Sequence, residues 1–231
     1  MPGAAFDSFS PSLIDFLEDL TDNNDRDWFK ANKARYESEV VEPALAFIGA
    51  MEPRIRKISK HFEAIPKKTG GSMMRIYRDT RFSNDKTPYK TNVGIQFRHE
   101  RGKNIHAPGF YLHIEPDSVF LGVGLWRPER DALADIRQAI AIDPKRWKRV
   151  CDAKAFAAAY ELGGDTLVRP PKGYDEDHPM IVDLKRKDFI ATATLEPEKL
   201  EVPGLPDRIA KSFKSASAFI GFLCEAIGIQ Y

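Results

Sequence analysis

Cysteine is scarce in this chain, which excludes zinc-ribbon and disulfide-rich proteins. The 231 residues include two cysteines, Cys151 and Cys224, with no short spacing between them. A zinc site needs cysteines or histidines at short spacing, and a disulfide framework needs several paired cysteines. The sequence therefore favours a reducing compartment.

Long hydrophobic runs and an excess of charge of one sign are also missing. No apolar stretch approaches the roughly 20 residues that a membrane helix needs. The N-terminal segment MPGAAFDSFS has neither the basic region nor the apolar run of a secretion signal. The formal net charge is +1, so the overall charge does not indicate nucleic acid or a membrane surface. We expect a cytoplasmic protein without a membrane partner, and the sequence defines no oligomeric state.

Motifs for nucleotide binding, hydrolysis and metal binding are missing as well. There is no P-loop, no serine in a nucleophile elbow, and no third glycine after Gly122 and Gly124 for a dinucleotide fingerprint. The sequence therefore predicts no metal site, and no cofactor is evident. The histidines lack metal-ligand spacing: they include His99, His106, His113 and His178. If the protein did bind a metal ion, the candidate ligands would be Asp79, Asp85 and His113.

Hydrophobic periodicity predicts a single α+β domain over residues 1–231. A helical part is expected at residues 1–66, a sheet core at residues 73–126 and a second helical part at residues 128–231. We expect an antiparallel β-meander of about four to six strands, packed with helices from both ends of the chain. Three segments alternate in polarity: Asn92–Phe97, Phe110–Glu115 and Ser118–Trp126.

Further strands and helices are predicted outside these three segments. Met73–Tyr77 is predicted as the first strand of the sheet, and Phe189–Thr194 as a further strand. A helix is predicted at Asp152–Leu162, and a long amphipathic helix at residues 206–227. Asn24 is predicted to cap the helix that contains Trp28 and Phe29.

Residues 73–92 concentrate positive charge among apolar and aromatic side chains. The basic residues are Arg75, Arg78, Arg81, Lys86 and Lys90, against which only Asp79 and Asp85 are acidic. Burial of the apolar residues between them would draw arginines inward, where each charge must be paired. We therefore expect Asp79 to be buried and paired with motif arginines. Because guanidinium groups bind carboxylate and phosphate oxygens in a fork, the excess of bases also fits an external anion.

The second face of the predicted meander combines glycine with polar and aromatic side chains. Besides Gly94, Gly122 and Gly124, this face should carry Gln96, Tyr111, His113 and Trp126. Glycine inside a strand marks close approach of a ligand or of another part of the chain. This face is therefore either the wall of a pocket or a surface that the N-terminal helices cover.

From Arg75 to Tyr89 the sequence reads RIYRDTRFSNDKTPY. This string resembles the motif RxxRDxRFxx(D/N)KxxY of a bacterial conserved hypothetical family, domain of unknown function 2461. The resemblance extends over nearly the whole chain and implies that the motif is one unit, but it implies no activity. It also includes Asn24-x-Arg26-x-Trp28-Phe29, Tyr36, Pro108-Gly109-Phe110-Tyr111, Gly122-x-Gly124-x-Trp126 and Lys172-Gly173-Tyr174.

Two function hypotheses follow from these residues. The first is a site for a small anion, with or without a catalytic step, in which Asp79 or His113 is the candidate acid or base. Its predicted ligand-binding residues are Arg75, Arg78, Arg81, Lys86, Tyr89, Gln96, Tyr111 and Trp126. The second is a non-catalytic interaction module in which the charged motif is an internal network. A protein or, less favoured, a nucleic acid would bind its outer surface; exposed aromatics beside a basic groove would favour nucleic acid.

Overall fold

The computed structural model describes residues 6–102 and 107–231, which form one sheet with helices packed on one face. His106 and residues 1–5, on which the metal and secretion-signal predictions partly depend, lie outside the described residues. The described strands are β1 (Phe62–Glu63), β2 (Val93–His99), β3 (Gly109–Glu115), β4 (Ser118–Leu125), β5 (Glu161–Gly163) and β6 (Phe189–Leu195). The α-helices before the sheet are α1 (Ser12–Asp22), α2 (Arg26–Ala31), α3 (Lys33–Arg35) and α4 (Glu42–Ile58). Those after β4 are α5 (Arg130–Ile142), α6 (Pro144–Cys151), α7 (Lys154–Ala157), α8 (Ile181–Leu184), α9 (Leu205–Ser215) and α10 (Ser217–Ala226).

The sheet has the order β1-β2-β3-β4-β6-β5, and every neighbouring pair is antiparallel. The predicted α+β class with an antiparallel sheet is therefore confirmed, as is the strand at Phe189–Thr194. The sheet is larger than the predicted core at residues 73–126, because β1 precedes that range and β5 and β6 follow it. A helix over Asp152–Leu162 is wrong: α7 ends at Ala157, and Glu161–Gly163 pairs with β6.

Residues along β3 and β4 alternate between buried and partly exposed, as the period of two requires. The buried face holds Phe97 and Phe110, which are fully buried. Phe213 of α9 packs against both, with ring centroids 6.0 and 5.0 Å away, and Phe47 of α4 lies 6.4 Å from Phe97. Helices from both ends of the chain thus cover the apolar face, while the second face keeps partial access to solvent.

The outer edge of β2 is shared by two short segments. β1 pairs with the end of β2 through Phe62 and His99. Nearer the start of β2, Gln96 N donates to Ser72 O (2.8 Å) and Met74 N donates to Gly94 O (2.9 Å). The predicted strand Met73–Tyr77 is therefore wrong as a regular strand, because Met73 forms an isolated bridge with Ile95 and the chain then leaves the sheet.

The C-terminal helix also departs from the prediction. In place of one helix over residues 206–227, α9 ends at Ser215 and α10 begins at Ser217, with Ala216 between them. In the part of the chain that the structure describes, no helix has the length and apolar character to cross a membrane.

The two glycines of β4 differ in what surrounds them. Gly124 has a φ of +119°, and a Cβ there would lie 2.1 Å from Phe189 O. A Cβ on Gly122 would meet nothing closer than the Tyr111 side chain at 3.5 Å, an ordinary contact. Gly124 therefore marks close approach of the β6 backbone, not of a ligand.

We expect Gly124→Ala to lower the free energy of unfolding by about 1–3 kcal/mol from the backbone conformation alone, with the clash against Phe189 adding to that. Gly122→Ala is the matched control and should unfold close to wild type. Urea denaturation of both variants is the measurement. Equal midpoints for the two alanine variants would contradict this account of β4.

Candidate functional site

The charged motif forms an irregular hairpin that projects from the start of β2. Tyr77 bridges Tyr89, Arg78 N donates to Pro88 O (3.0 Å), and Lys90 N donates to Ile76 O (2.7 Å). Residues 79–87 form the loop between these two short arms. The hairpin is thus held by backbone pairing at its base, while its loop lies outside the sheet.

The second arm of the hairpin is fixed to the start of α2. The side chain of Asn24 donates to Tyr89 O (3.0 Å) and accepts from Tyr89 N (3.1 Å), and the Tyr89 ring stacks on Phe29 at 4.1 Å. Asn24 was predicted to cap α2, but Asp25 does so by accepting from the backbone of Asp27 and Trp28. Tyr89 is buried, so it supports the hairpin and offers little surface to a ligand.

Three of the five motif bases bind partners inside the hairpin. Arg78 Nη1 donates to the Asp85 carboxylate and to the Thr87 hydroxyl. The guanidinium of Arg81 donates to both carboxylate oxygens of Asp79 at 2.9 and 2.7 Å. These interactions are local, since the partners lie two to nine residues apart. Lys86 Nζ donates to Thr80 O (2.9 Å).

The expected burial of Asp79 is wrong. Its side chain is 45% exposed, and that of Arg81 is 77% exposed. The hydrogen bonds from Arg81 lower the pKa of Asp79 to about 2, so this carboxylate stays ionised at neutral pH. The apolar residues around it did not draw it inward, because Phe82 is itself 95% exposed.

Arg75 and Lys90 differ from the other motif bases. Within residues 6–102 and 107–231, neither side chain makes an ion pair or a hydrogen bond. Lys90 is half-buried, and desolvation together with the nearby charge of Arg75 lowers its pKa. Arg75 also lies within electrostatic reach of Asp79, but Asp79 is already bonded to Arg81. The hairpin therefore carries two neighbouring cations with no bonded counter-charge.

The second face of the sheet carries a chain of hydrogen bonds beside this hairpin. Tyr111 Oη lies 3.1 Å from His113 Nδ1, and His113 Nε2 lies 3.2 Å from a carboxylate oxygen of Glu115. Glu115 also accepts from the Thr91 hydroxyl (3.1 Å). A carboxylate only accepts, so Nε2–H donates to Glu115, and in this tautomer Nδ1 accepts a hydrogen bond from the Tyr111 hydroxyl.

Burial is the main cause of the raised pKa of Tyr111, about 12, and the charge of Glu115 adds to it. The His113 ring stacks on Phe120 at 4.6 Å. Beyond Phe120, a shallow groove of 380 Å³ runs between the ends of β4 and β6 and includes Thr192 and Thr194. The sheet face is thus a partly wet surface rather than a closed pocket.

The structure does not bring all the predicted ligand-binding residues together. Gln96 pairs with Tyr111 in the middle of the sheet, where its amide oxygen accepts from Arg98 Nε (2.9 Å). Trp126 lies beyond the far end of β4, six residues from Phe120 or roughly 20 Å along the strand. Its ring is 62% exposed and packs under the Arg127 guanidinium.

Nor do the imagined metal ligands form a site. In the described part of the chain, no group of three or more His, Cys, Asp or Glu side chains is arranged to hold a metal ion. Asp79 and Asp85 are bonded to separate arginines, and His113 lies on the sheet face.

A family model described as Conserved hypothetical protein (DUF2461) matches residues 12–222. The chain belongs to this family. No curated protein and no solved structure matches it. The DUF2461 match spans both the hairpin and the sheet, so the geometry above belongs to one family domain.

Some residues in and beside the DUF2461 hairpin were not among the predicted ligand-binding residues. Thr91 was not predicted at the site. Glu115 was predicted on the sheet face but not as a ligand-binding residue, although the two side chains join the hairpin to that face. A signal was present for Glu115, since Tyr111, His113 and Glu115 alternate on one face of β3. No pattern distinguished Lys90 from the other bases, because its lack of a partner depends on which base each acid reaches.

The raised pKa of Tyr111 predicts a pH effect on stability. The folded state favours the neutral phenol, so this contribution is complete below the ordinary value of 10 and is lost as pH rises through about 12. We expect Tyr111→Phe to lose less stability than wild type between these pH values. At neutral pH it should be less stable by about 0.5–1.5 kcal/mol, because one hydrogen bond is missing.

Urea unfolding at several pH values from neutral to alkaline measures this difference. Tyr77→Phe is the matched control, since it removes a hydroxyl from a tyrosine that is 57% exposed. An alkaline loss of stability in Tyr111→Phe as large as in wild type would contradict the assignment.

Proposed function

We propose that the hairpin binds an oxyanion, a phosphate or a carboxylate, between Arg75 and Lys90. The observation that carries the proposal is the pair of neighbouring cations without a bonded partner in the described residues. Repulsion between two neighbouring positive charges destabilises the folded protein, and an anion bound between them would offset that repulsion.

The accounting of charge within the hairpin supports the same conclusion. Residues 73–92 contain five basic and two acidic side chains, and each acidic side chain forms an ion pair with an arginine. Lys86 reaches a backbone carbonyl oxygen and is exposed to water. Arg75 and Lys90 are left, and desolvation together with the charge of Arg75 lowers the pKa of Lys90. A bound oxyanion would stabilise the charged form of Lys90.

Binding without catalysis is the function proposed here. A general acid or base needs a proton that it can exchange near neutral pH. Asp79 has a pKa of about 2 and is bonded to Arg81. His113 has both ring nitrogens engaged, one by Tyr111 and one by Glu115. Neither predicted acid or base is therefore free to act on a bound anion.

Phosphate or sulfate should stabilise the protein by mass action if this site exists. At a concentration 100 times the dissociation constant, the gain is about 2.7 kcal/mol. Arg75→Gln and Lys90→Gln should each remove most of that gain. Arg78→Gln breaks the internal pair with Asp85 and should lower the melting temperature in every salt while keeping the gain. Thermal melts in phosphate and in chloride at equal ionic strength are the measurement.

Lys86→Gln is the matched control, because it removes one positive charge from the same loop without touching the proposed site. It should keep the phosphate-dependent gain, since simple screening does not distinguish the variants. An equal loss of the gain in Lys86→Gln and Lys90→Gln would mean that phosphate responds to the net charge of the loop. No gain in wild type over chloride would refute the proposal.

A second candidate function is binding of single-stranded nucleic acid. The observation that favours it is exposure of aromatic rings beside the motif bases: Tyr77 is 57% and Phe82 is 95% exposed. The Arg81 guanidinium lies 5.8 Å from the centre of the Phe82 ring. Proteins that bind single-stranded nucleic acid stack its bases on aromatic rings, while nearby basic side chains bind the phosphates.

Binding of a short fluorescent oligonucleotide tests this second function. Phe82→Ala should weaken binding by about 1–3 kcal/mol, the usual worth of one stacked base, and affinity should fall steeply with salt. Trp126→Ala removes another exposed ring, at the far end of the sheet, and should bind like wild type. If phosphate displaces the oligonucleotide but Phe82→Ala leaves its affinity unchanged, the hairpin binds the phosphate groups and stacks no base.

A further inference from the structure

A large groove lies on the helical side of the protein, away from the hairpin. It has a volume of 1230 Å³ and runs between α6, α10 and residues 229–231, with Lys60 and His61 at one end. Lys60 and His61 lead into β1, which pairs with the end of β2, whereas the hairpin projects from the start of β2. The groove is therefore independent of the proposed oxyanion site.

The floor of the groove is apolar. Phe222 of α10 and Val150 of α6 line it but are buried, and the Arg146 guanidinium lies 5.3 Å from the centre of the Phe222 ring. Ile229 and Tyr231 are partly exposed and offer the apolar surface. The Tyr231 ring covers Gly221, where a Cβ would lie 3.4 Å from the ring. Such a floor favours the apolar part of a ligand, at roughly 25 cal/mol for each Å² of apolar surface removed from water.

The rim of the groove is basic. Arg146 forms two hydrogen bonds with the Glu225 carboxylate, at 2.8 and 2.5 Å, so this pair is neutral. Lys60 and Arg149 also line the groove, and neither makes an ion pair or a hydrogen bond within the described residues. His61 is occupied by Glu100 at 2.6 Å. Two free cations thus stand above an apolar floor.

We propose that this groove binds a small amphipathic carboxylate, an acyl or aryl chain that ends in an acid. The apolar chain would lie on Ile229 and Tyr231, and the carboxylate would face Arg149 and Lys60. Small-molecule sites are concave and mostly apolar, with a few polar groups that fix the orientation. Both halves of the ligand are needed, because exposed cations alone bind a carboxylate weakly.

Titration calorimetry with octanoate, octanol and acetate separates these two contributions. Octanoate should bind most tightly, octanol about threefold to tenfold more weakly because it lacks the charge, and acetate not measurably. The double variant Lys60→Gln/Arg149→Gln should reduce octanoate affinity to that of octanol and leave octanol unchanged. Lys214→Gln removes a charge from α9 outside the groove and should bind like wild type.

Ala218→Trp places a large ring in the groove and should abolish binding of both octanoate and octanol. Ala218 is exposed, so the fold should tolerate the change, which circular dichroism melts will check. If octanoate binds no more tightly than octanol, or if Ala218→Trp binds octanoate unchanged, the proposal is wrong. If the variant does not fold, amide chemical-shift mapping of octanoate binding to wild type takes its place. Shifts confined to residues outside α6 and α10 would also contradict the proposal.

Discussion

The division of the β2 edge between two short segments is the constraint on which the candidate site depends. β1 pairs with the end of β2, and Ser72–Met74 pairs with its start. The chain between them must leave the sheet, and Ser72 closes that loop by bonding Ile65 through both its backbone N (2.8 Å) and its hydroxyl (2.9 Å). Because the edge is occupied only in part, residues 75–92 fold as a hairpin outside the sheet, and their bases stay within reach of a ligand.

The position of that hairpin is set by contacts that bear no charge. Asn24 bonds both backbone groups of Tyr89, and Phe29 stacks on its ring. An unpaired cation pair tends to separate, since at close range the repulsion amounts to about 1 kcal/mol even in water. The neutral anchors hold the arm that carries Lys90, so an anion would meet one of the two cations on an arm that is already in place. Such preorganisation lowers the ordering cost of binding.

The alternation of polar and apolar residues was enough to predict the two faces of β2, β3 and β4 from the sequence. Burial of Phe97 and Phe110 follows directly from that pattern, whereas their contact with Phe213 is known only from the structure. The two-residue β1 is too short to produce a pattern, and β5 was missed because the predicted helix Asp152–Leu162 overlaps it. In the structure Tyr160 is buried, and its hydroxyl bonds Ser212 Oγ at 2.9 Å, which holds this turn of chain against α9.

The candidate site was predictable in composition but not in pairing. The excess of bases over acids in residues 73–92 follows from counting, whereas the choice of partner depends on the loop conformation. Arg81 reaches back two residues to Asp79, and Arg78 reaches forward seven residues to Asp85. Had Asp79 instead bonded Arg75, the unpaired cations would have been Arg81 and Lys90. A sequence pattern does not distinguish these arrangements, because all of them satisfy the same charges.

The sheet face beside the hairpin places a physical limit on catalysis. His113 is held between Tyr111 and Glu115, so a substrate gains access to either ring nitrogen only by displacing one of them. Displacing Tyr111 would leave its part-buried hydroxyl without this partner, which costs free energy unless the substrate supplies an acceptor. An anion that stayed between Arg75 and Lys90 would leave the hydrogen-bonded chain intact, as the proposal of binding without catalysis requires.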